Sequence, residues 1–153
     1  MNQISQRPTM ISAIVYRDPF AALDFLERAF GFERFMVITD DAGMLQYSEM
    51  RFGDAVIMIG REWDETTASP ASLNGRGTQS VHVHLKSSLM EHCQRARAAG
   101  AAITRDPGGE FYGDLVYCAR DLEGHRWTFA QTVEFVSREE AEKRCGLKID
   151  GWI

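Results

Sequence analysis

The residues with the clearest capacity for chemistry are His82 and His84, in the run Gln79-Ser80-Val81-His82-Val83-His84-Leu85-Lys86. Apolar and polar residues alternate there with period two. An extended strand therefore turns Val81, Val83 and Leu85 one way and both imidazoles the other. Two imidazoles on one strand face can ligate a metal, move protons or form the polar wall of a pocket. A second set comes from the runs Met44 to Phe52 and Ala55 to Gly60, joined by Gly53-Asp54, a two-residue hairpin turn. The turn pairs Phe52 with Ala55, Met50 with Ile57 and Ser48 with Ile59. The other face then carries Arg51 opposite Val56, Glu49 opposite Met58 and Tyr47 opposite Gly60. The first face is apolar and must meet a helix, so Tyr47, Glu49, Arg51 and Met58 belong to the opposite face.

Glu49 and His82 could serve as a metal-free acid/base pair. A non-standard metal set of His82, His84 and Glu49 is the alternative. Same-face residues on one strand stand about 7 Å apart, so both imidazoles would need convergent rotamers to reach one ion. A last hairpin closed by Arg120 and His125 places Tyr117 on the same face as Thr128 and adds both to the pocket. His125 follows a turn glycine and reads as a surface or hydrogen-bonded loop residue. Trp127 and Phe129 alternate with Thr128 and read as core.

The elements that position these residues follow in order. Met10 to Tyr16 is rich in strand formers, and Asp18-Pro19 supplies a helix N-cap and first helical position. Phe20, Leu23, Leu26 and Phe30 recur at helical spacing up to Gly31, and Phe32 to Thr39 gives a second strand. The hairpin runs come next. The stretch 61–78 is polar and aperiodic, a module connector or a mobile functional loop. After the histidine strand, Ser87 or Ser88 caps a helix, with Ser88 and Glu91 spaced as a capping box, running through Met90, Cys93, Ala96 and Arg97 to Gly100. Ala101 to Arg105 is a strand broken by Asp106-Pro107-Gly108-Gly109. Tyr112 to Ala119 and Arg126 to Gln131 pair around Asp121-Leu122-Glu123-Gly124. Arg28-Ala29-Phe30-Gly31 is echoed by Arg97-Ala98-Ala99-Gly100 about 70 residues later, and the strands shift by a similar amount. The chain is thus an internal duplication of a βαβββ unit: module one at 10–60, linker 61–78, module two 79–131 and an extension 132–153. In the extension Ser137-Arg138-Glu139-Glu140 caps a short helix ended by Gly146, and Trp152-Ile153 leave apolar bulk that must dock or stay exposed.

A chain of 153 residues, 44% hydrophobic and 25% charged, has the make-up of a globular domain. Its net charge of −5, with scattered Lys and Arg, offers no basic face for nucleic acid or anionic lipid. No run is long enough to cross a membrane, and Met1 to Pro8 lack a secretory apolar core, so a cytoplasmic location is expected. Cys93, Cys118 and Cys145 are widely spaced and form neither a disulfide framework nor a thiolate zinc site.

The duplicated modules, together with Phe111-Tyr112-Gly113-Asp114, Arg120-Asp121-Leu122-Glu123-Gly124-His125-Arg126-Trp127-Thr128-Phe129-Ala130-Gln131 and the hairpin Arg51 to Gly60, resemble the glyoxalase/bleomycin-resistance/dioxygenase (vicinal oxygen chelate) superfamily. The resemblance covers Met10 to Gln131. It implies an α+β fold in which two curved mixed sheets surround a cavity, with helices outside. It also implies four metal-ligand positions, which fall on Ile11, Met58, His82 and Thr128. Only His82 is a plausible ligand there, so no metal cofactor is expected. The expected protein is a homodimer binding a small, mostly apolar organic molecule in a cavity lined by Tyr47, Glu49, Arg51, Met58, His82, His84, Tyr117 and Thr128. The alternative is a lyase, isomerase or dioxygenase-like enzyme of the same superfamily. Partial desolvation is expected to raise the pKa of Glu49, and the nearby carboxylate to favour a charged histidine.

Overall fold

The computed structural model describes residues 7–153. The polar leader at 1–6, and with it most of the reading that no secretory signal precedes the fold, lies outside the described residues.

Each module is a strand, a helix and three further strands, and its four strands form a mixed sheet in which the first strand lies parallel to the last. Module one comprises β1 (Ser12–Tyr16), α1 (Pro19–Phe25), β2 (Glu33–Thr39), β3 (Leu45–Phe52) and β4 (Ala55–Arg61), with sheet order β1-β4-β3-β2. Module two repeats this with β5 (Ser80–His84), α2 (Leu89–Ala98), β6 (Ala102–Gly109), β7 (Asp114–Arg120) and β8 (Arg126–Thr132), in order β5-β8-β7-β6. A helix α3 (Arg138–Cys145) follows. The fold is α+β with two modules, and the sheets are not closed. Among the described residues no helix is long and apolar enough to cross a membrane.

Local chemistry accounts for the helix ends. Asp18 accepts from the Ala21 amide at 3.0 Å and Pro19 begins α1. After Phe25 the helix widens into one π-helical turn, Leu26–Phe30, which Gly31 ends at φ 78°. The Arg95 guanidinium of α2 donates to the Arg28 and Glu27 carbonyls at 2.9 and 2.7 Å, covering the end of that turn from the other module. Ser88 and Ser137 cap α2 and α3 as their capping boxes require.

The helix-facing sides of both sheets share one core. Ile14, Tyr16, Met50, Ile57 and Ile59 from module one join Tyr117, Ala119, Trp127 and Phe129 from module two, with α1, the π turn and α2 packed among them. Phe30 lies 4.8 Å from the Phe129 ring and 5.2 Å from Trp127, so the first module's helix packs directly on the second module's sheet. Met90 and Phe20, expected on the packed helix faces, are exposed. Leu89 and Ala22 occupy the buried positions instead.

Polar contacts, buried around Asp121 and His125 and exposed at Glu123, rivet the modules together. Asp121 accepts from the Tyr16 hydroxyl at 2.6 Å, the Trp127 indole at 2.9 Å and the amides of Glu123 and His125. His125 is buried and donates to the Val15 carbonyl at 2.8 Å. Glu123 accepts from the Arg17 and Asp18 amides and from Ser69 Oγ. The stretch 61–78 is accordingly an anchored connector: buried Ser69 and Pro70 hold it at its middle and Arg120 grips the Gly75 carbonyl nearer its end.

Asp106-Pro107-Gly108-Gly109 does not break β6, which runs on to Gly109 with two register irregularities. Its edge position explains why: an edge strand tolerates a proline whose missing N–H faces away from the neighbour.

His92 carries a further link between modules. Its Nε2 lies 2.8 Å from the Phe30 carbonyl, which can only accept, so Nε2 donates and Nδ1 accepts from the Tyr117 hydroxyl at 2.7 Å. Burial pushes its pKa below the usual histidine value. The neutral form is therefore favoured in the fold, whereas the unfolded chain takes up the proton as pH falls through about 6.5. Stability should be full above that value and decline from about pH 6.5 toward the depressed folded pKa. In denaturant titrations from pH 7.5 to 5, His92→Gln should flatten this slope; an unchanged slope would assign it to other groups.

Candidate functional site on the open sheet faces

The Gly53-Asp54 turn sets the expected register, with Glu49 opposite Met58 and Arg51 opposite Val56. The ladder also places Ala13 beside Met58 and Met36 beside Glu49. One row across the first sheet's open face thus reads Ala13, Met58, Glu49, Met36. The second sheet's corresponding row is His82, Thr128, Cys118, Arg105.

The two rows test the metal positions. His82 stands beside Thr128 as Ala13 stands beside Met58, so the first position belongs to Ala13 and not to Ile11, which precedes β1. Alanine, methionine, threonine and one histidine are not a donor set for a divalent ion, and the site does not fit the family's metal. His82 and His84 do share a face, with ring centroids 5.2 Å apart, and His84 lies 3.9 Å from Asp114. Burial, then the proximity of His84, lowers the pKa of His82. Glu49 is not part of this group: among the described residues no three His, Cys, Asp or Glu side chains gather as a metal cluster. The set His82, His84 and Glu49 is thus not assembled among the described residues, and the Glu49 carboxylate is hydrogen-bonded to Tyr47 and Arg7 rather than to His82.

Tyr117 is misplaced by the sequence reading. The last hairpin closes between Arg120 and Arg126, one residue later than expected, which puts Cys118 opposite Thr128 and Tyr117 opposite Phe129. A one-residue slip moves every side chain to the other face. Tyr117 is buried in the core, stacked 5.0 Å from Phe129, and burial raises its pKa far above the ordinary tyrosine value.

The remaining candidates form a compact cluster around Glu49. Its side chain is fully buried although it lies on the open face. Oε1 accepts from the Tyr47 hydroxyl at 2.6 Å and from the Arg7 guanidinium, which is half exposed. Oε2 is buried and, among the described residues, has no hydrogen-bond partner. Burial alone would push the Glu49 carboxyl up, but the hydrogen bonds from Tyr47 and Arg7 and the charge of Arg7 outweigh it and hold the pKa below the usual range. The expected upward shift is therefore reversed. The partner that reverses it comes from a segment 42 residues away in sequence. Tyr47 and Met58 line a depression of about 230 Å³ with Ala13 and Trp63, while Arg7 and Arg51 line another of about 280 Å³ with Pro8 and Phe35. Glu49 is in the wall of neither, but it accepts from Tyr47 in the wall of the first and from Arg7 in the wall of the second. Arg51 lies 4.1 Å over the Phe35 ring. The second sheet has its own depression of about 550 Å³, with Cys118, Thr128 and Thr104 in its wall.

Residues 8–129 match the sequence profile of the Glyoxalase/Bleomycin resistance protein/Dioxygenase superfamily, and the chain belongs to that superfamily. The crystal structure of TioX from Micromonospora sp. ML1 is similar at a TM-score of 0.64 and 31% identity, over 82% of this chain and 99% of that one. TnmS3, an antibiotic binding protein from Streptomyces sp. CB03234, shares the fold at a TM-score of 0.64 and 16% identity, over 84% and 98%. The uncharacterized protein Rv0887c of Mycobacterium tuberculosis is 25% identical over 153 residues, 97% of this chain and 88% of that protein.

Proposed function

We propose that this protein is a cytoplasmic, homodimeric binding protein that holds a small, mostly apolar organic molecule against its open sheet faces and uses no metal. The observation that carries the reading is Glu49: a fully buried carboxylate on an open face, with one oxygen doubly hydrogen-bonded and the other unpaired among the described residues. A buried acceptor left unpaired costs about 1–3 kcal/mol, and a ligand donor would recover it. Met36 and Met58 on either side supply soft, adaptable apolar walls. The fold shared with an antibiotic binding protein is consistent with this use. Family membership supports the binding class, and Ala13, Met58 and Thr128 at the ligand positions speak against metal-dependent chemistry. Tyr47, Arg51 and Met58 are assigned to the ligand with Glu49. His82, His84 and Thr128 form a second wall on the other sheet's open face. Glu49 is a weak general base because its pKa is held low, so an acid/base enzyme is the poorer reading.

Two measurements test this. Protein purified from metal-supplemented medium and dialysed should retain well under one equivalent of zinc, nickel or iron by elemental analysis, and should sediment as a dimer. Stoichiometric metal after dialysis would contradict the metal-free reading, and a monomer at micromolar concentration the dimeric one.

A further inference from the structure

The geometry points to Arg7 as a tethered stand-in for the ligand: an exchangeable cation on Glu49 whose place is taken by an amidinium or ammonium group on an organic molecule. This inference rests on Glu49 being the ligand's anchor. Arg7 and Tyr47 both donate to Oε1, but they differ in how they are held. Tyr47 is built into β3 two residues from Glu49, whereas Arg7 precedes β1 and leaves half of its side chain in solvent. Arg7 also lines the depression on its own side, so its departure would open Glu49 toward the space beside Pro8, Phe35 and Arg51.

Oε2, unpaired among the described residues, defines what should replace Arg7. A single guanidinium contact on Oε1 leaves half of the carboxylate unused, whereas a planar amidinium can meet both oxygens in parallel. The flanking Met36 and Met58 and the nearby Phe35 ring suit an apolar, polarisable body behind such a head group. A neutral ligand would be left facing an ionised carboxylate it could not compensate.

Self-occupancy by Arg7 lowers apparent affinity by the fraction of time the site is free. If that fraction is roughly a tenth, removing the side chain strengthens binding roughly tenfold. Intrinsic tryptophan fluorescence or calorimetry with benzamidine, and with neutral benzamide as control, tests this on the full chain. The wild type should bind benzamidine in preference to benzamide, and Arg7→Ala and Arg7→Gln should each bind it roughly tenfold more tightly. Glu49→Gln should lose the preference for the cation. Unchanged or weaker binding in both Arg7 variants, with Glu49→Gln still impaired, would overturn the stand-in role while leaving Glu49 as the anchor. Equal affinity of wild type and Glu49→Gln for benzamidine would overturn the anchor itself. No difference between benzamidine and benzamide in wild type and Arg7→Gln alike would overturn the cationic class.

Discussion

Replacing Asp121 by alanine should cost about 3–5 kcal/mol of folding stability, among the largest effects of any single polar substitution in this chain. The carboxylate serves four donors in a buried setting: the Tyr16 hydroxyl, the Trp127 indole and the Glu123 and His125 amides. Alanine removes the acceptor and leaves those groups without it, and each buried donor stranded this way costs about 1–3 kcal/mol, with partial relief from water where it can enter. Because Tyr16 belongs to β1 and the others to module two, the loss falls on the contact between modules. Asp121→Asn should be milder: its carbonyl can still serve the two amides, while its amide nitrogen meets an indole N–H that cannot accept. Tyr16→Phe should cost about 1–2 kcal/mol. Urea denaturation gives the order Ala, Asn, then Tyr16→Phe, and the alanine variant should melt roughly 10 °C lower. An Asp121→Ala loss below about 1 kcal/mol would show that the network is not what holds the modules together.

Gly113→Ala should be nearly as severe, at about 3 kcal/mol, and for a steric reason. Gly113 sits at φ 100°, and a Cβ there would lie 2.1 Å from the Glu134 carbonyl oxygen. The Gly113 carbonyl also accepts from the Val133 and Glu134 amides at 3.0 Å each. Making room for a methyl group therefore pushes away the segment that leads into α3. Arg144 with Glu134 and Glu140, and the Trp152 indole on the Val136 carbonyl, are farther along that extension and would lose their register with it. Limited proteolysis should cut the variant between Thr132 and Ser137 well before the wild type. Equal cleavage rates and equal stability would mean that the backbone relaxes around the methyl group.

How far the sequence carries the account depends on what kind of contact sets each feature. The Gly53-Asp54 hairpin was readable because a two-residue turn leaves a single register, and Glu49, Met58 and Arg51 follow from it. The last hairpin was not, because Asp121 to His125 form a longer loop held by Asp121 and by burial of His125 against Val15. That one-residue difference sends Tyr117 into the core. The N-caps and capping boxes were legible because they are local. Arg7 on Glu49, His92 between Phe30 and Tyr117, and Glu123 on the Arg17 and Asp18 amides were not, since each joins residues tens of positions apart. Period and spacing report which face a residue occupies. They do not report which distant charge arrives there, and that charge decides the sign of the shift at Glu49.

The most direct test of the central claim, that ligand binds beside Glu49 on the first sheet's open face, is a methyl NMR titration of protein labelled at methionine with benzamidine. Met36 and Met58 flank Glu49 in the sheet, whereas Met90 is exposed on α2 and Met50 is buried on the helix side. Binding beside Glu49 should give saturable shifts of the Met36 and Met58 methyl signals, with Met90 and Met50 unmoved and all shifts abolished by Glu49→Gln. Saturable shifts confined to other methionines, or shifts at Met36 and Met58 that persist in Glu49→Gln, would contradict it.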